Sequence, residues 1–365
     1  MIVFVHLLND RSGSPRVLRN VMEALADQDA SQLLYLGCGG DGFLGEAVPQ
    51  ARRYAYRRRA KRWATLLAYL GSQWALWRSL WRARDIDPGA LLYVNTLLPF
   101  AASIFGRLSG RLVICHLHEA SMRPRLLQWL LLQTARWTAH RLICVSESHR
   151  RNLGLKDVSK VRVVANSIDS AMFAAGMRSS YVPRRHGRFL VCMLCALRDY
   201  KGVPEFVRLA SDLVDVQGLD FELVVSDDPD AVRRYFSARI ALPPNLRVRE
   251  GIADTSEIYT RASLVVNLSR VDQCEETFGL TLLEAMSFGV PVIAPPVGGP
   301  VELVANGVHG YLIDSRNARE LSGAVERLAN DEALCVQLSS QCRERAKSLS
   351  PRVFRAEICQ AVFQI

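Results

Sequence analysis

The chain has 365 residues, of which 49% are hydrophobic and 22% charged. This composition excludes a disordered chain, and the length suits two domains of about 150–200 residues each. The net charge of +10 is uneven, because residues 1–175 hold 24 Lys and Arg against 12 Asp and Glu, whereas residues 176–365 hold 22 against 24. We therefore expect the first half to meet an anion, such as phosphate, nucleic acid or an acidic membrane surface.

The chain begins with an apolar stretch, MIVFVHLLND, that has no basic region and no small-residue cleavage site. We interpret it as a first β-strand and not as a signal peptide. No run of about 18 apolar residues occurs, so no membrane-spanning helix is expected. The nine cysteines are scattered and odd in number. They predict a reducing, cytoplasmic location without a disulfide scaffold.

Short runs rich in Val, Ile and Leu alternate with longer helical patterns along the chain. This alternation indicates parallel β-sheets covered by helices on both faces. The predicted strands of the first half are 2–8, 32–37, 91–95, 112–118, 141–146 and 161–166. Those of the second half are 189–197, 221–226, 246–251, 263–269, 291–296 and 310–314.

The alternating pattern is interrupted at residues 173–187, where Gly, Pro and charged residues without periodicity predict a linker. The predicted fold class is therefore α/β, with one Rossmann-like doubly wound domain over 1–172 and another over 188–349. We expect the last segment, 350–365, to be a helix that packs back on the first domain. Two such domains would face a cleft, and ligands would bind at the loops that follow the strands.

The most informative segment is EETFGLTLLEAMSFGVPVIAPPVGGPVE, residues 275–302. Glu276 and Glu284 are separated by seven residues, and Gly279 precedes a predicted helix. A glycine permits close backbone approach, and the N–H groups at a helix start favour an anion. Two glutamates alone would more often mean an acidic residue near the positive end of a helix. The EAM, Gly-Val-Pro-Val and Gly-Gly-Pro-x-Glu that surround them favour a functional site.

This segment resembles the donor-binding signature of the retaining glycosyltransferases of family 4, which have the two-domain glycosyltransferase-B fold. The resemblance continues in order along nearly the whole chain. It implies that Glu284 binds the ribose hydroxyls of a nucleotide sugar and that Glu276 contacts hydroxyls of the transferred sugar. Backbone amides would contact the sugar and diphosphate around Thr277, Phe278, Gly279 and Leu280.

The loop Arg198-Asp199-Tyr200-Lys201-Gly202 follows a predicted strand. A guanidinium fork and a flexible ammonium suit a diphosphate, although a surface Arg and Lys are usually only solvated. The family has Arg followed by Lys-Gly at this place and uses both charges on the diphosphate. The resemblance therefore assigns that role to Arg198 and Lys201. It also places Ile252 in the loop that holds the base.

The run Asp227-Asp228-Pro229-Asp230 also follows a predicted strand and could attract a metal ion. The resembling family neutralises the diphosphate without a metal. We therefore expect no metal and no cofactor, with a nucleotide sugar as co-substrate. The sequence leaves open whether the nucleotide is UDP or GDP, and which sugar it bears.

The segment HLHEASMRP, residues 116–124, ends a predicted strand. Histidine can exchange a proton near neutral pH, yet a lone histidine is more often structural. The family has a His-Asp or His-Glu segment here, in which the histidine touches the donor sugar. The resemblance thus assigns His118 to the reacting centre, with Glu119 as its neighbour, whereas His116 is expected to be structural.

The loop after the first strand, NDRSGSPRVL, enters a predicted helix. Family members usually show Gly-Gly-Ala-Glu here, whereas this chain has Ser-Gly-Ser-Pro. A simple helix start is one interpretation. The other is an acceptor-side loop containing Gly13, Ser14 and Arg16, with Arg16 facing an anionic acceptor.

Residues 51–84 combine a basic cluster with an apolar stripe at helical spacing: Trp63, Leu67, Leu70, Trp74, Trp77 and Trp81. Basic residues beside tryptophans suit an anionic bilayer surface. The alternative is a helix packed on the first sheet. A nucleic-acid partner is not expected, because no nucleic-acid-binding motif accompanies the charge.

Together, these patterns predict a metal-independent, retaining glycosyltransferase. It would move a hexose to a saccharide, expected to be lipid-linked, in lipopolysaccharide or exopolysaccharide synthesis. We expect a peripheral protein at the inner face of the cytoplasmic membrane. The alternative is a catalytically silent scaffold that binds a nucleotide sugar in a polysaccharide assembly complex. Glu284→Ala would distinguish the two.

Overall fold

The structure is a computed structural model that describes residues 1–26, 30–38, 42–47, 51–59, 61–120, 122–156, 158–237, 241–251 and 254–364. The chain divides into two compact units. Unit 1 comprises Met1–Asn166 with Arg352–Ile365, and unit 2 comprises Ser167–Pro351. Within the described residues, no helix combines the length and the apolar character needed to cross a bilayer.

The strands of unit 1 are Ile2–His6 (β1), Gln32–Leu36 (β2), Arg52–Arg53 (β3), Leu91–Asn95 (β4), Val113–Leu117 (β5), Arg141–Cys144 (β6) and Val161–Val163 (β7). They form a parallel sheet in the order β3-β2-β1-β4-β5-β6-β7. All residues of β1, β4 and β5 are buried, which explains their uninterrupted apolar character.

The helices of unit 1 up to residue 152 are Gly13–Leu25 (α1), Phe43–Ala47 (α2), Arg62–Arg82 (α3), Phe100–Leu108 (α4), Arg125–Thr138 (α5) and Glu147–Asn152 (α6). The connections through α3, α4 and α5 all step along the sheet in one direction, from β3 to β6. Because such crossovers are right-handed, these three helices cover one face of the sheet and α1 and α2 cover the other.

The strands of unit 2 are Phe189–Cys195 (β8), Leu219–Val225 (β9), Leu246–Glu250 (β10), Leu264–Val266 (β11), Val292–Ala294 (β12) and Gly310–Leu312 (β13). They form a second parallel sheet in the order β10-β9-β8-β11-β12-β13. In each sheet the strand order reverses once, between β1 and β4 and between β8 and β11. Ligands of such folds bind outside the carboxyl ends of the strands at this switch point.

The helices of unit 2 are Ser170–Arg178 (α7), Val203–Asp212 (α8), Pro229–Ser237 (α9), Ser256–Arg261 (α10), Leu280–Ser287 (α11), Pro300–Leu303 (α12), Ala318–Asn330 (α13) and Glu332–Ser348 (α14). A short 3-10 helix, Asp199–Lys201, precedes α8. The predicted helix after Gly279 is present as α11. These helices pack their apolar sides on the second sheet, as Phe206 of α8 does against Phe221 of β9.

Helix α7 occupies residues where the sequence predicted the start of a linker without regular structure. The side chain of Asp169 caps it by accepting a hydrogen bond from the Met172 N–H, at 2.8 Å. The helix also packs on α11, and the Arg343 guanidinium donates to the Gly176 carbonyl at 2.9 Å. These tertiary contacts form a helix that the weak periodicity of the segment did not indicate.

The C-terminal helix is Pro351–Phe363 (α15), and all but its first residue group with unit 1. Its buried side chains include Phe354 and Ile358. The Arg141 guanidinium at the start of β6 donates to the Gln364 carbonyl at 2.6 Å. The end of the chain is thereby fastened to the first sheet.

Candidate functional site

Lys201 and Glu276 form an ion pair at the switch point of unit 2. Lys201 ends the short helix after β8, and Glu276 lies in the loop after β11. Lys201 Nζ donates to Glu276 Oε1 at 2.5 Å, and each side chain is about one-fifth exposed. The pair therefore places a cation and an anion side by side in the position where doubly wound sheets bind their ligands.

The environment of this pair keeps both groups charged. Burial lowers the pKa of Lys201, but the charge and hydrogen bond of Glu276 outweigh it and hold the pKa above its ordinary value. Burial raises the pKa of Glu276, and Lys201, Asn267 and Ser269 more than reverse that effect. The Asn267 amide lies at 3.5 Å and the Ser269 hydroxyl at 3.4 Å from Oε1. The carboxylate is therefore fixed on one of its oxygens by three donors.

Two glycines shape the backbone around the pair. Gly279 has a φ of 102° and forms the N-cap of α11, so the chain turns sharply between Glu276 and the helix. Gly202 has a φ of 85°, and a Cβ there would lie 2.1 Å from the Leu268 carbonyl oxygen. The loop after β8 is consequently packed directly against the loop after β11, which brings Lys201 to Glu276.

Arg198 lies at the start of the same loop, where its side chain is about half exposed. Its Nη1 donates to the Leu197 carbonyl at 2.6 Å and to Asp227 Oδ1 at 3.1 Å. The other oxygen of Asp227 accepts the Leu197 N–H at 2.8 Å. Asp227 thus ties the ends of β8 and β9 together and holds the guanidinium beside them.

The remaining carboxylates of the acidic run are also engaged locally. Asp228 accepts the Ala231 N–H at 2.8 Å, and Asp230 pairs with Arg233. Across the part of the chain that the structure describes, no three His, Cys, Asp or Glu side chains gather as a metal site would require.

Glu284 lies in the second turn of α11 and is 2% exposed. Its Oε2 accepts a hydrogen bond of 2.5 Å from the hydroxyl of Tyr259, a buried residue of α10. The Tyr259 ring packs on Phe288, with 5.7 Å between ring centroids. The carboxylate is therefore held by a rigid aromatic donor from the neighbouring helix.

Phe278 and Gly279 are buried, and Thr277 and Leu280 are half-buried. They join Glu276 to Glu284 directly along the chain. Among the unit 2 candidates, the structure brings Lys201 into contact with Glu276, whereas Arg198 contacts Asp227 and Glu284 contacts Tyr259. Ile252, predicted to hold the base, lies outside the described residues.

Asn95 is the centre of a polar network at the switch point of unit 1. Its side-chain amide donates to the Ser14 carbonyl at 3.1 Å, which joins the end of β4 to the start of α1. His118, which follows β5, lies 2.8 Å from Asn95 Oδ1 through Nε2. Because that oxygen can only accept, the network assigns the proton of a neutral His118 to Nε2.

Three histidines are held uncharged around Asn95. Burial lowers the pKa of His6 to about 4 and that of His116 to about 3. Burial, followed by the neighbouring His116, also lowers the pKa of His118 well below its ordinary value. The rings of His116 and His118 lie 4.2 Å apart, and Tyr93 bonds His116 Nδ1 at 2.8 Å. His116 is therefore a buried neighbour of His118 and helps to lower the pKa of His118.

Glu119 fastens two loops of unit 1. Its Oε1 accepts the Leu97 N–H at 3.0 Å, and its Oε2 accepts the His118 N–H at 3.1 Å. Thr96, in the loop after β4, has a φ of 74°, a conformation that costs free energy for a β-branched residue. The carboxylate thus holds a strained backbone turn beside His118.

The predicted acceptor-side loop forms the start of α1. Ser12 is the N-cap residue by position, but its side chain bonds Asp10 and makes no cap hydrogen bond. Gly13 begins α1, Ser14 contacts Asn95 through its carbonyl, and the Arg16 guanidinium lies 5.6 Å from the centroid of the Phe43 ring.

Two sequence profiles match the chain and together span most of it. The profile named Glycosyltransferase Family 4 matches residues 11–171, and the profile named Glycosyl transferases group 1 matches residues 181–348. The chain belongs to glycosyltransferase family 4.

The chain matches only part of the length of its curated relatives. The D-inositol 3-phosphate glycosyltransferase of Acidothermus cellulolyticus is 29% identical over 46% of this chain and 40% of its own length. The N-acetyl-alpha-D-glucosaminyl L-malate synthase of Bacillus anthracis is 26% identical over 55% of this chain and 51% of its own length. The chain therefore spans about half of the length of these relatives.

Solved structures show the same fold over the full length of the chain. Anabaena HepE, crystallised with UDP-glucose, is 18% identical with a TM-score of 0.79, covering 100% of this chain and 99% of that one. Sucrose-phosphate synthase from Thermosynechococcus elongatus is 19% identical with a TM-score of 0.77, covering 100% and 98%. The fold is thus α/β with two parallel sheets, as the resemblance implied.

Three residues that contact the predicted site residues were not recognised from the sequence as their partners. They are Tyr259, Asp227 and Asn95. Tyr259 lies in a helix and Asn95 at the end of a strand, and neither residue type by itself indicates a hydrogen-bond partner of the site. The position of Asn95 at the end of an apolar strand was the one available signal, since polar side chains at such ends lie near ligands.

Proposed function

We propose that the chain transfers a hexose from a nucleotide sugar to a hydroxyl of a saccharide, with retention of configuration and without a metal ion. The Lys201–Glu276 pair at the switch point is the observation that carries the proposal. The UDP-glucose complex of Anabaena HepE, a protein of the same fold, supports a nucleotide-sugar donor. A UDP-sugar is accordingly the first donor to test.

In this proposal, Lys201 and Arg198 bind the diphosphate of the donor. A phosphate oxygen would share the Lys201 ammonium with Glu276 and would take the guanidinium face of Arg198 that Asp227 leaves exposed. As the sugar leaves, negative charge develops on the phosphate, and two fixed cations stabilise it. The backbone N–H groups at the start of α11 would also stabilise this negative charge through their dipoles.

The two glutamates would bind hydroxyl groups of the donor. Carboxylates accept hydrogen bonds from sugar hydroxyls, and those that are already oriented lose less entropy on binding. Glu276 is oriented by Lys201 and would bind the transferred sugar, whereas Glu284 is oriented by Tyr259 and would bind the ribose. Phe278, Gly279 and Leu280 would contribute their backbone amides.

Retention follows from an attack on the same face that the diphosphate leaves. The acceptor oxygen forms its bond to the anomeric carbon while the bond from that carbon to the phosphate oxygen breaks. The acceptor proton passes to the departing phosphate, so no side-chain nucleophile is required. A neutral His118, with its proton on Nε2, would contact the transferred sugar in this proposal.

The acceptor would be a lipid-linked saccharide in the synthesis of a cell-surface polysaccharide, bound through Gly13, Ser14 and Arg16 of unit 1. Glu119 would support this side by fixing the loop that bears His118. The protein would act as a peripheral protein at the inner face of the cytoplasmic membrane. The net positive charge of residues 1–175 and the exposed tryptophans of α3 support this placement.

The test is a titration with UDP-, GDP- and ADP-sugars, followed by slow donor hydrolysis and by transfer to saccharide acceptors. We expect one nucleotide class to bind and to be hydrolysed by the wild type. Glu276→Gln should lose about 100-fold or more in turnover, because the neutral amide no longer orients Lys201 or the sugar. A Glu276→Gln variant as active as the wild type would contradict the proposed site.

Glu326→Gln is a matched control, since Glu326 is an exposed residue of α13 on the same unit. It should leave turnover unchanged. Binding of a nucleotide sugar with no hydrolysis and no transfer to any saccharide would favour the catalytically silent scaffold instead.

A further inference from the structure

All six tryptophans of the chain lie on two helices of unit 1. Four are on α3 and two on α5. Five of them are more than half exposed: Trp63, Trp74, Trp81, Trp129 and Trp137. The sixth, Trp77, is half-buried and packs edge-on against Phe105 of α4. Exposed tryptophans in such number are rare on a surface that meets only water.

Leucines extend this apolar surface along both helices. Exposed members are Leu66, Leu67 and Leu70 on α3, Leu108 at the end of α4, and Leu126 and Leu130 on α5. The opposite sides of the helices bury Leu76 and Leu80 of α3 and Leu131 of α5 in the core. Helices α3 and α5 therefore each have two apolar sides, one that packs on the sheet and one that is exposed.

The stripes belong to one surface, because α3, α4 and α5 cover the same face of the first sheet. Helix α4 contacts both α3 and α5. We name the surface formed by the exposed tryptophans and leucines of α3, α4 and α5 the tryptophan face. It extends the apolar stripe of residues 51–84 to a second helix, which the sequence pattern had not connected with it.

The segments that bear the tryptophan face are strongly basic. Residues 51–84 contain nine arginines and one lysine and no acidic residue, and residues 120–140 contain three arginines and no acidic residue. Arg78, Arg82 and Arg84 are exposed and make no ion pair within the part of the chain that the structure describes. Unneutralised cations beside exposed tryptophans match the chemistry of an anionic membrane surface.

A surface depression of about 810 Å³ lies along the tryptophan stripe of α3. Its lining includes Trp74, one carboxylate and four arginines: Asp85, Arg52, Arg78, Arg82 and Arg84. Trp74, Arg78 and Arg82 are four residues apart, so they follow one line along the helix. Arg52 is held by Asp85 and by the Tyr35 hydroxyl. Guanidinium groups bind phosphate through paired N–H donors, and Arg78, Arg82 and Arg84 outnumber the single carboxylate that Arg52 already pairs.

We propose that the tryptophan face docks on an anionic lipid bilayer, with a headgroup phosphate in the arginine-lined depression. The tryptophans and leucines would enter the headgroup region, and the two helices would lie along the membrane plane. A second copy of the chain fits less well, since pairing two faces would bring two sets of unpaired arginines together. This inference deepens the membrane placement in the proposed function and rests on it.

The test is flotation of the whole protein with vesicles of phosphatidylcholine, with or without 30 mol% phosphatidylglycerol. We expect binding to the anionic vesicles that falls at least tenfold when NaCl is raised from about 0.1 to 0.5 M. The variant Arg78→Gln/Arg82→Gln/Arg84→Gln should lose at least tenfold in binding. Trp74→Ser/Trp129→Ser, which removes one ring from each helix, should lose a similar factor.

The charge-matched control is Arg234→Gln/Arg319→Gln/Arg327→Gln, which removes three exposed arginines from unit 2. It should bind the vesicles as the wild type does. Equal loss in both triple variants would reduce the effect to net charge and overturn the proposal. Wild-type protein that stays with the unbound fraction would overturn it too, as would a dimer in light scattering that Trp74→Ser/Trp129→Ser dissociates.

Donor hydrolysis in solution separates this inference from the proposed chemistry. The face variants should hydrolyse a soluble nucleotide sugar at the wild-type rate, because they lie outside the proposed donor site. Failure of vesicle binding with normal hydrolysis would overturn the docking surface alone. Absence of hydrolysis with normal vesicle binding would overturn the proposed activity alone.

Discussion

In unit 2, the cations at the switch point each face a carboxylate: Lys201 contacts Glu276, and Arg198 contacts Asp227. In unit 1, neutral histidines lie around Asn95 at the switch point, and Arg78 and Arg82 lie on the outer surface of α3 without ion pairs in the described residues. The difference separates two uses of charge. Paired charges are fixed in direction and suit one small ligand, whereas unpaired surface charges suit an extended anionic partner.

The largest expected effect comes from removing the central cation of unit 2. Lys201→Met should reduce donor turnover by about 100- to 1,000-fold, because the departing diphosphate loses one of its two cations. The measurement is kcat and KM for the donor that binds best. Lys347→Met, which removes an exposed lysine of α14, is the control and should retain wild-type turnover. Equal turnover of Lys201→Met and wild type would contradict the role of the paired charges of unit 2 in binding the donor.

A second substitution tests whether the loops of unit 2 must touch. Gly202→Ala should destabilise the protein by about 2–5 kcal/mol, because alanine would have to adopt a φ of 85° with its Cβ against the Leu268 carbonyl. Chemical denaturation measures the loss. In helix α13, Gly323 has open space for a Cβ, so Gly323→Ala should instead stabilise by about 0.5–1 kcal/mol. Similar stability changes for both variants would argue against the tight loop contact.

A third substitution isolates the orientation of Glu284. Tyr259→Phe removes the hydroxyl that donates to this carboxylate, and nucleotide affinity should fall about tenfold. The loss should be smaller for a 2′-deoxyribose nucleotide, since fewer hydroxyls then depend on Glu284. Tyr181→Phe removes another tyrosine hydrogen bond of unit 2, which the Tyr181 hydroxyl donates to the Ser263 carbonyl. That control should lower stability without changing nucleotide affinity, and a fall in its affinity would make the Tyr259 effect merely structural.

The smallest effect concerns pH and the neutral network of unit 1. The pKa values of His6 and His116, about 4 and about 3, lie below the ordinary value of 6.5. The unfolded chain therefore binds more protons between those values, and stability falls as pH falls from about 7 toward 4. Each histidine contributes at most about 1.4 kcal/mol per pH unit, and protonation of Glu119, whose pKa burial raises, acts in the opposite direction.

Amide hydrogen exchange followed from pH 7 to pH 5, corrected for the intrinsic rate, measures this loss strand by strand. The protection of β1, β4 and β5 should decline, and His116→Gln should reduce the slope. Protection of these strands that rises on acidification would contradict the assignment of neutral histidines.

Most of the fold could be predicted because parallel strands are buried on both faces and appear as continuous apolar runs. Twelve of the thirteen strands in the described residues were found in this way. The exception, Arg52–Arg53, has two residues inside a basic segment and no apolar signal. Helix α7 was missed because the periodicity of its segment is weak. Contacts with α11 and Arg343 stabilise this helix.

The candidate site was predictable where the chain keeps its members close together or in a known motif. Glu276 and Glu284 lie eight positions apart, and the glycine between them signals the start of α11. The partners that orient them could not be predicted. Tyr259 reaches Glu284 across 25 residues of sequence, and Lys201 reaches Glu276 across 75.

The exposure of the tryptophans could not be predicted from the sequence either. A stripe at helical spacing indicates one apolar side of a helix but not whether that side packs inward. In α3 the inward side is formed largely by Tyr69, Leu76 and Leu80, so the tryptophan stripe remains mostly outside. Only the placement of the helix on the sheet distinguishes these outcomes.

The central claim is that unit 2 binds the diphosphate of a nucleotide sugar through Lys201. Isothermal titration of the wild type and Lys201→Met with a UDP-sugar, and then with GDP- and ADP-sugars, tests it most directly. We predict saturable binding by the wild type and at least tenfold weaker binding by the variant, with both proteins equally folded. Equal affinity of the two proteins, or no binding of any of these donors to folded wild type, would contradict the claim.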